Sequence, residues 1–284
     1  MKSVVVTGAS SGIGLASALR LVKGGWRVYG GVRTDEAATV LREGGVEPLV
    51  VDVTDAGQVA AASDIVGPEL HGLVDNAGIA IAAPLELVPL EELRRQLEVN
   101  VVGQVAVLQA LLPALRRGRG RVVLMGSVGG RSALPFLGPY AASKHALEAF
   151  ADVLRIELAP WGMTVSIIEP ASVKTAIWTK GAEQADAMRD ELATDAAELY
   201  AARVAKFREV ALKRGPGIDP DVVARAVEHA LTASRPKARY LVGRDAKLAG
   251  HLLTRLPDRL RDAANRLGSA AWEKRGRNLP DRPS

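Results

Sequence analysis

Short runs rich in valine, isoleucine and leucine recur between longer amphipathic segments, and this alternation restricts the available folds more than any other feature of the chain. Parallel strands joined by helices need crossover connections, and right-handed crossovers bury the sheet between two helical layers. The spacing predicts strands at Ser3–Thr7, Arg27–Val32, Leu49–Asp52, Gly72–Asp75, Arg121–Gly126, Thr164–Glu169 and Arg239–Val242. Seven strands fit one sheet. The expected class is α/β, a doubly wound, parallel, seven-stranded sheet in a single domain, with a ligand crevice at the carboxyl ends of its strands.

At 284 residues, 48% hydrophobic and 24% charged, the composition is that of a folded globule. The chain has no cysteine, which excludes disulfides, thiolate metal sites and cysteine nucleophiles. His71, His145, His229 and His251 lie far apart without metal-ligand spacing, so no metal is expected. Met1-Lys2-Ser3 runs directly into Val4-Val5-Val6, leaving no room for a secretory signal, and a cytoplasmic location is expected. The apolar stretch Val99 to Leu115 is interrupted by Asn100, Gln104 and Gln109 and reads as a buried helix, so no integral membrane segment is expected. Of the net charge of +5, residues Arg235 to Ser284 carry +8 and the remainder −3. The body is therefore not basic, and no nucleic-acid partner is expected.

Thr7-Gly8-Ala9-Ser10-Ser11-Gly12-Ile13-Gly14 follows the first strand and opens a helix. Small residues in that context let backbone amides approach a pyrophosphate at a positive helix terminus. Tyr140 and Lys144 form YxxxK, which puts phenol and ammonium one helical turn apart on one face. Ser127 lies 13 residues before Tyr140 at the end of the fifth strand, and Asn100 precedes both. Asp52-Val53 follows the third strand and Asn76-Ala77-Gly78 the fourth.

With TGxxxGIG and an Asn-Ser-Tyr-Lys tetrad in order, the chain resembles the short-chain dehydrogenase/reductase family, in its short single-domain branch. The resemblance covers about Val4 to Thr175 and implies a Rossmann-type sheet, a nicotinamide cofactor and oxidoreduction at CH–OH groups. A free tyrosine has a pKa of about 10. Lys144 and the positive oxidised nicotinamide together would stabilise tyrosinate, and a fall of about three units corresponds to roughly 4 kcal/mol. Tyr140 is then the acid/base, protonating a carbonyl oxygen as hydride arrives, with Ser127 orienting that oxygen. The resemblance further implies that Lys144 binds the nicotinamide ribose and that Asn100 holds a proton-relaying water.

Cofactor contacts are expected from Gly8, Ser10, Ser11, Gly12, Ile13, Gly14, Arg33, Asp52, Val53, Asn76, Ala77, Gly78, Tyr140, Lys144, Pro170, Val173 and Thr175. Relatives that use NAD carry an acid where Val32 falls, and that carboxylate would repel a 2′-phosphate. Val32 removes the repulsion and Arg33 adds a guanidinium fork, which favours NADP(H) over NAD. Two departures from the family pattern bear on local geometry: Ala171 stands for a glycine after Pro170, and Asp75 for the first of two asparagines before Ala77.

Ser127, Gly129, Leu134, Phe136, Leu137, Ile177 and Trp178 are expected to line an apolar substrate pocket suited to a lipophilic alcohol or ketone, steroid- or retinoid-like or otherwise bulky. The dinucleotide-binding catalytic domain is expected over residues 1–246 and a helical lid over about 175–219, where Met188, Leu192, Ala196 and Leu199 form a stripe continued by Val204, Phe207 and Ala211. A basic amphipathic extension, residues 247–284, would cap the domain, with Leu248, Leu252, Leu253 and Leu256 on one face and Leu260, Ala264 and Leu267 on the next. By family habit the helices holding Asn100 and Tyr140 pair across a two-fold axis, giving a homodimer or homotetramer. The competing readings are a dinucleotide-sensing protein and a membrane-surface binder with residual reductase activity.

Overall fold

The computed structural model describes residues 1–190, 194–213, 217–251 and 255–268. Strands β1 (Ser3–Val6), β2 (Arg27–Val32), β3 (Glu47–Val50), β4 (Gly72–Asp75), β5 (Arg121–Met125), β6 (Thr164–Pro170) and β7 (Arg239–Val242) form one sheet. The order is β3-β2-β1-β4-β5-β6-β7, and every pairing is parallel. The direction in which successive strands are added reverses between β1 and β4. That switch opens the crevice at their carboxyl ends.

Helices α1 (Gly12–Lys23), α2 (Asp35–Glu43) and α9 (Pro220–Thr232) cover one face, and α3 (Ala56–Val66), α5 (Gly103–Arg117) and α6 (Gly138–Glu157) the other. The strand side chains alternate accordingly: Val5 and Leu73 belong to the α5 layer, Val4 and Val74 to the α1 layer. Arg20 ties α1 to α9 through Asp221 at 2.9 Å and Glu228 at 2.7 Å. Leu90–Arg117, which includes α4 (Leu90–Leu97) and α5, is long and apolar enough by composition to cross a membrane. Its Val107, Leu108, Leu111, Ala114 and Leu115 are buried against the sheet.

The expected third strand is corrected. It starts two residues earlier, at Glu47, and Val51 and Asp52 lie beyond it. An edge strand tolerates Pro48 and a charged first residue, which a search for apolar runs discounts. Between α4 and α5 the chain makes a π-helical turn, Glu98–Val102, which takes the first residues of the buried helix expected from Val99 to Leu115. The lid stripe is also corrected in part: Leu199 on α8 (Thr194–Lys213) is 64% exposed, while Phe207 packs inward. Leu192 and the side chains of Met188, Ala196 and Ala211 lie outside the described residues.

In the C-terminal part, Leu248 on α10 (Arg244–His251) and Leu260 on α11 (Asp258–Gly268) are exposed among the described residues, where each was expected on a packed face. Leu252, Leu253, the side chains of Ala264 and Leu267, and residues 269–284 lie outside the described residues.

Leu73 sits at the centre of the sheet and is 0% exposed. Leu73→Ala should destabilise the fold by about 2–5 kcal/mol, read as a lower denaturant midpoint with an unchanged slope.

Candidate active site

The glycine turn places an open helix end at the switch point. Gly8 (φ 62°) and Gly12 (φ 56°) occupy the left-handed region, and a Cβ on Gly14 would lie 2.2 Å from the Gly8 carbonyl oxygen. Thr34 caps α2 and Asp55 caps α3, but the side chain of Ser11 makes no capping bond to α1. The first amides of α1 are thus left for an anion, with exposed Ser10 and Ser11 beside them. Thr175 closes over this turn: a Cβ on Gly12 would meet its Cγ2 at 2.9 Å.

Thr7 fixes the turn to β4, a role that its place at the head of the glycine motif does not announce. Its hydroxyl accepts the amides of Asn76 at 2.8 Å and Ala77 at 2.9 Å and donates to Asp75 at 3.0 Å. Asn76 Nδ2 returns a bond to the Thr7 carbonyl at 2.9 Å, and Gln104 Nε2 donates to the Ala77 carbonyl at 2.9 Å. Gly78 lies against the Asn100 amide.

At the end of β2, Val32 is buried and Arg33 is exposed at the start of the turn into α2. The Asp52 carboxylate accepts the amide and hydroxyl of Thr54 at 2.9 Å and 2.7 Å. Burial acts to raise its pKa, but those two bonds and the Arg33 charge prevail and hold it below the ordinary value. Val53 is buried against Gly103 of α5.

Tyr140, Lys144 and Ser127 converge at the carboxyl end of β5. All three are buried. Lys144 Nζ donates to the Met125 carbonyl at 2.7 Å and lies 5.7 Å from the centre of the Tyr140 ring. Burial brings Lys144 down to about 8. Burial pushes the Tyr140 phenol up, while the Ser127 hydroxyl pulls it down. Ser127 Oγ also accepts the Gly129 amide at 3.0 Å, and a Cβ on Gly129 would lie 3.6 Å from the Tyr140 ring.

Asn100 occupies the π-helical turn and is fully buried. Its Oδ1 accepts the Ile79 amide at 2.8 Å, and its Nδ2 donates to the Ile79 carbonyl at 3.0 Å and to Ser143 Oγ at 3.1 Å. Ser143 passes a bond to the Tyr140 carbonyl at 2.7 Å. The Asn100 side chain therefore clamps the loop after β4 to α6. Gln96 repeats the device one turn earlier, accepting from Ile81 at 2.8 Å and donating to the Ile79 carbonyl at 2.9 Å. Gln96 and Ser143 carry no motif of their own and were not expected.

Of the pocket residues, Trp178 on α7 (Ala176–Asp190) packs edge-on against Tyr140 with ring centres 5.5 Å apart. Phe136 instead turns to Phe207 of α8, 5.4 Å away, and does so with φ 65°. Leu134, Leu137 and Ile177 are half-buried in the same two segments. Pro170 ends β6 and is buried, as is Val173 beyond it, with Lys174 and Ile218 holding the segment through backbone bonds of 2.9 Å. Ala171 causes no backbone strain, since its φ is not positive, and Gly243 makes room for its methyl.

A family model for short chain dehydrogenases matches residues 2–186. The NADPH-dependent 3-dehydrocapnine reductase of Ornithobacterium rhinotracheale is 38% identical, over 92% of this chain and 95% of its own. Human retinol dehydrogenase 16 is 38% identical, over 92% of this chain and 87% of its own. A short chain dehydrogenase from Burkholderia cenocepacia, solved in complex with NADP, superposes with a TM-score of 0.72 at 26% identity, covering 93% of this chain and 98% of that one.

The Gly8–Gly14 contact sets a prediction that needs no ligand. Gly14→Ala should force the turn apart and lower stability by about 1–3 kcal/mol, read as a drop in melting temperature. An unchanged melting temperature would mean that the turn gives way freely.

Proposed function

The chain belongs to the short-chain dehydrogenase/reductase family, and on that premise we propose that it is an NADP(H)-dependent oxidoreductase interconverting a lipophilic ketone or aldehyde with its alcohol. The observation that carries this reading is the convergence of buried Tyr140, Ser127 and Lys144 at the carboxyl end of β5, on the same edge of the parallel sheet as the uncapped start of α1. The NADPH-dependent reductase and the retinol dehydrogenase among its relatives support the cofactor and the apolar substrate class.

The cradle fits a dinucleotide. A Cβ on Gly8, Gly12 or Gly14 would run into Ala77, Thr175 or the Gly8 carbonyl, so only glycine keeps the turn this tight, and the open amides of α1 suit a pyrophosphate. Arg33 would take the 2′-phosphate, Asp52 and Val53 would flank the adenine, and Pro170, Val173 and Thr175 would hold the carboxamide end. When bound, the reduced nicotinamide supplies hydride. Tyr140 would give its phenolic proton to the substrate oxygen while Ser127 hydrogen-bonds the same atom. Lys144 would bind ribose hydroxyls with the protons that Met125 leaves free. Burial raises the Tyr140 pKa and the Ser127 hydrogen bond opposes that rise.

Trp178 would form the wall against which an apolar substrate lies over Tyr140, with α7 and α8 as the lid. The contact of Asn265 Nδ2 with the Ala133 carbonyl at 3.3 Å supports a capping role for the C-terminal extension at the pocket mouth. Val102, Val153 and Ile156, exposed on the helices of Asn100 and Tyr140, suit the two-fold contact of a homodimer or homotetramer.

NADPH oxidation across ketones and aldehydes of increasing apolar size tests the reading, with turnover rising as apolar surface is added. Tyr140→Phe should keep cofactor affinity and lose about 100- to 10,000-fold in turnover. Substantial residual activity would remove Tyr140 from the mechanism.

Arg33→Ala should weaken NADPH about 10- to 100-fold and leave NADH nearly unchanged, since only NADPH presents a phosphate to the guanidinium. Melting shifts with each cofactor measure this, and equal losses would make Arg33 a structural residue.

A further inference from the structure

Asp75 stands where the family pattern has asparagine, and the proposed mechanism does not use it. Its side chain is fully buried at the carboxyl end of β4. Oδ1 accepts the only proton Thr7 Oγ1 has to give, at 3.0 Å. Oδ2 is buried without a hydrogen-bond partner among the described residues. An ionised carboxylate would leave that oxygen bare in a low-dielectric interior, which is costly. A protonated one has the shape of an amide, with an acceptor at Oδ1 and a donor where the asparagine nitrogen would sit.

The neighbours limit what else can act on it. The turn after β1 presents the neutral Thr7 hydroxyl, β4 continues into neutral Asn76, and β5 places Leu124 opposite in register. The next residue on β5, Met125, holds Lys144 Nζ at 2.7 Å, and Lys144 from α6 is the charge that bears on Asp75. Two buried ionisable groups thus act on one another at the carboxyl ends of the neighbouring strands β4 and β5.

We propose that Asp75 is a positioning residue for charge: it stands as a neutral acid in the resting protein and, once it gives up its proton as pH rises, its carboxylate keeps Lys144 an ammonium. Burial pushes Asp75 up to about 8, against the Thr7 bond and the Lys144 charge, and burial brings Lys144 down to about 8, against the Asp75 charge. The two overlap, so they titrate as a pair. The inference rests on the reading of Lys144 as a cofactor ligand. Its consequence is that this chain holds NADPH to a higher pH than it would with asparagine.

The test compares the full chain with Asp75→Asn. Because the folded pKa of Asp75 lies above the unfolded value of 3.8, its stabilising proton is fully present below that value and is lost as pH rises through about 8. Urea midpoints should therefore show a gap in favour of Asp75→Asn that opens from pH 5 to 8. NADPH affinity, read by fluorescence, should fall with alkali about one pH unit earlier in Asp75→Asn than in the parent chain.

If Asp75→Asn does not fold, infrared spectra of the parent chain carrying ¹³C-labelled aspartate give the proton directly, separate from the buried carboxyl of Glu169. A shifted protonated-carboxyl band at pH 6 that disappears by pH 9 is expected. A parallel pair of urea curves, absence of the band, or superimposed affinity profiles would each overturn the proposal. Failure of the parent chain to reduce any carbonyl would count against the reductase reading alone, because the urea and infrared readouts need no substrate.

Discussion

One hydroxyl holds the crevice together. Thr7 Oγ1 accepts two amides from the turn after β4 and donates to Asp75, so three of the bonds that set the loops at the switch point against each other meet at one atom. Around it the Gly8 backbone approaches Ala77, Asn76 reaches back to Thr7, and α1 starts with its amides open. The phosphate cradle is therefore a property of β1 and β4 together. A turn of the same sequence elsewhere would not keep its shape, because its left-handed glycines need these partners to hold them in one conformation.

A second layer of fixation comes from α4, the π-helical turn and α5. The extra residue of a π turn rotates α5 relative to α4, and here it aims Asn100 at Ile79 and Ser143. Gln96 does the same from the preceding turn. Through Ser143 this scaffold reaches the backbone of Tyr140 itself. The phenol is thus positioned by groups that need not touch a substrate.

Much of this was legible in the chain. The interior strands read clearly because parallel strands covered on both faces are continuous apolar runs, and Tyr140, Lys144 and Ser127 meet because helix periodicity and strand ends dictate it. What was hidden depended on partners distant in sequence. Pro48 and Glu47 look unlike a strand until β3 is known to be an edge, and Asn100 looks like one more helical position until the π turn is seen. Leu199 obeyed a helical stripe yet faces solvent, because periodicity gives a face without saying what covers it. Asp75 was visible as a departure, but only burial and the bare Oδ2 give the departure a chemical meaning.

Phe136 combines an unfavourable backbone with a favourable side-chain contact. A bulky residue at φ 65° costs about 1–3 kcal/mol, and here that cost is set against an aromatic contact with α8. Glycine at this position would relax the loop and surrender the contact, so backbone ease and the hold on α8 pull the position in opposite directions. A change there would loosen the seat of α8 while leaving Tyr140, Ser127 and Lys144 untouched.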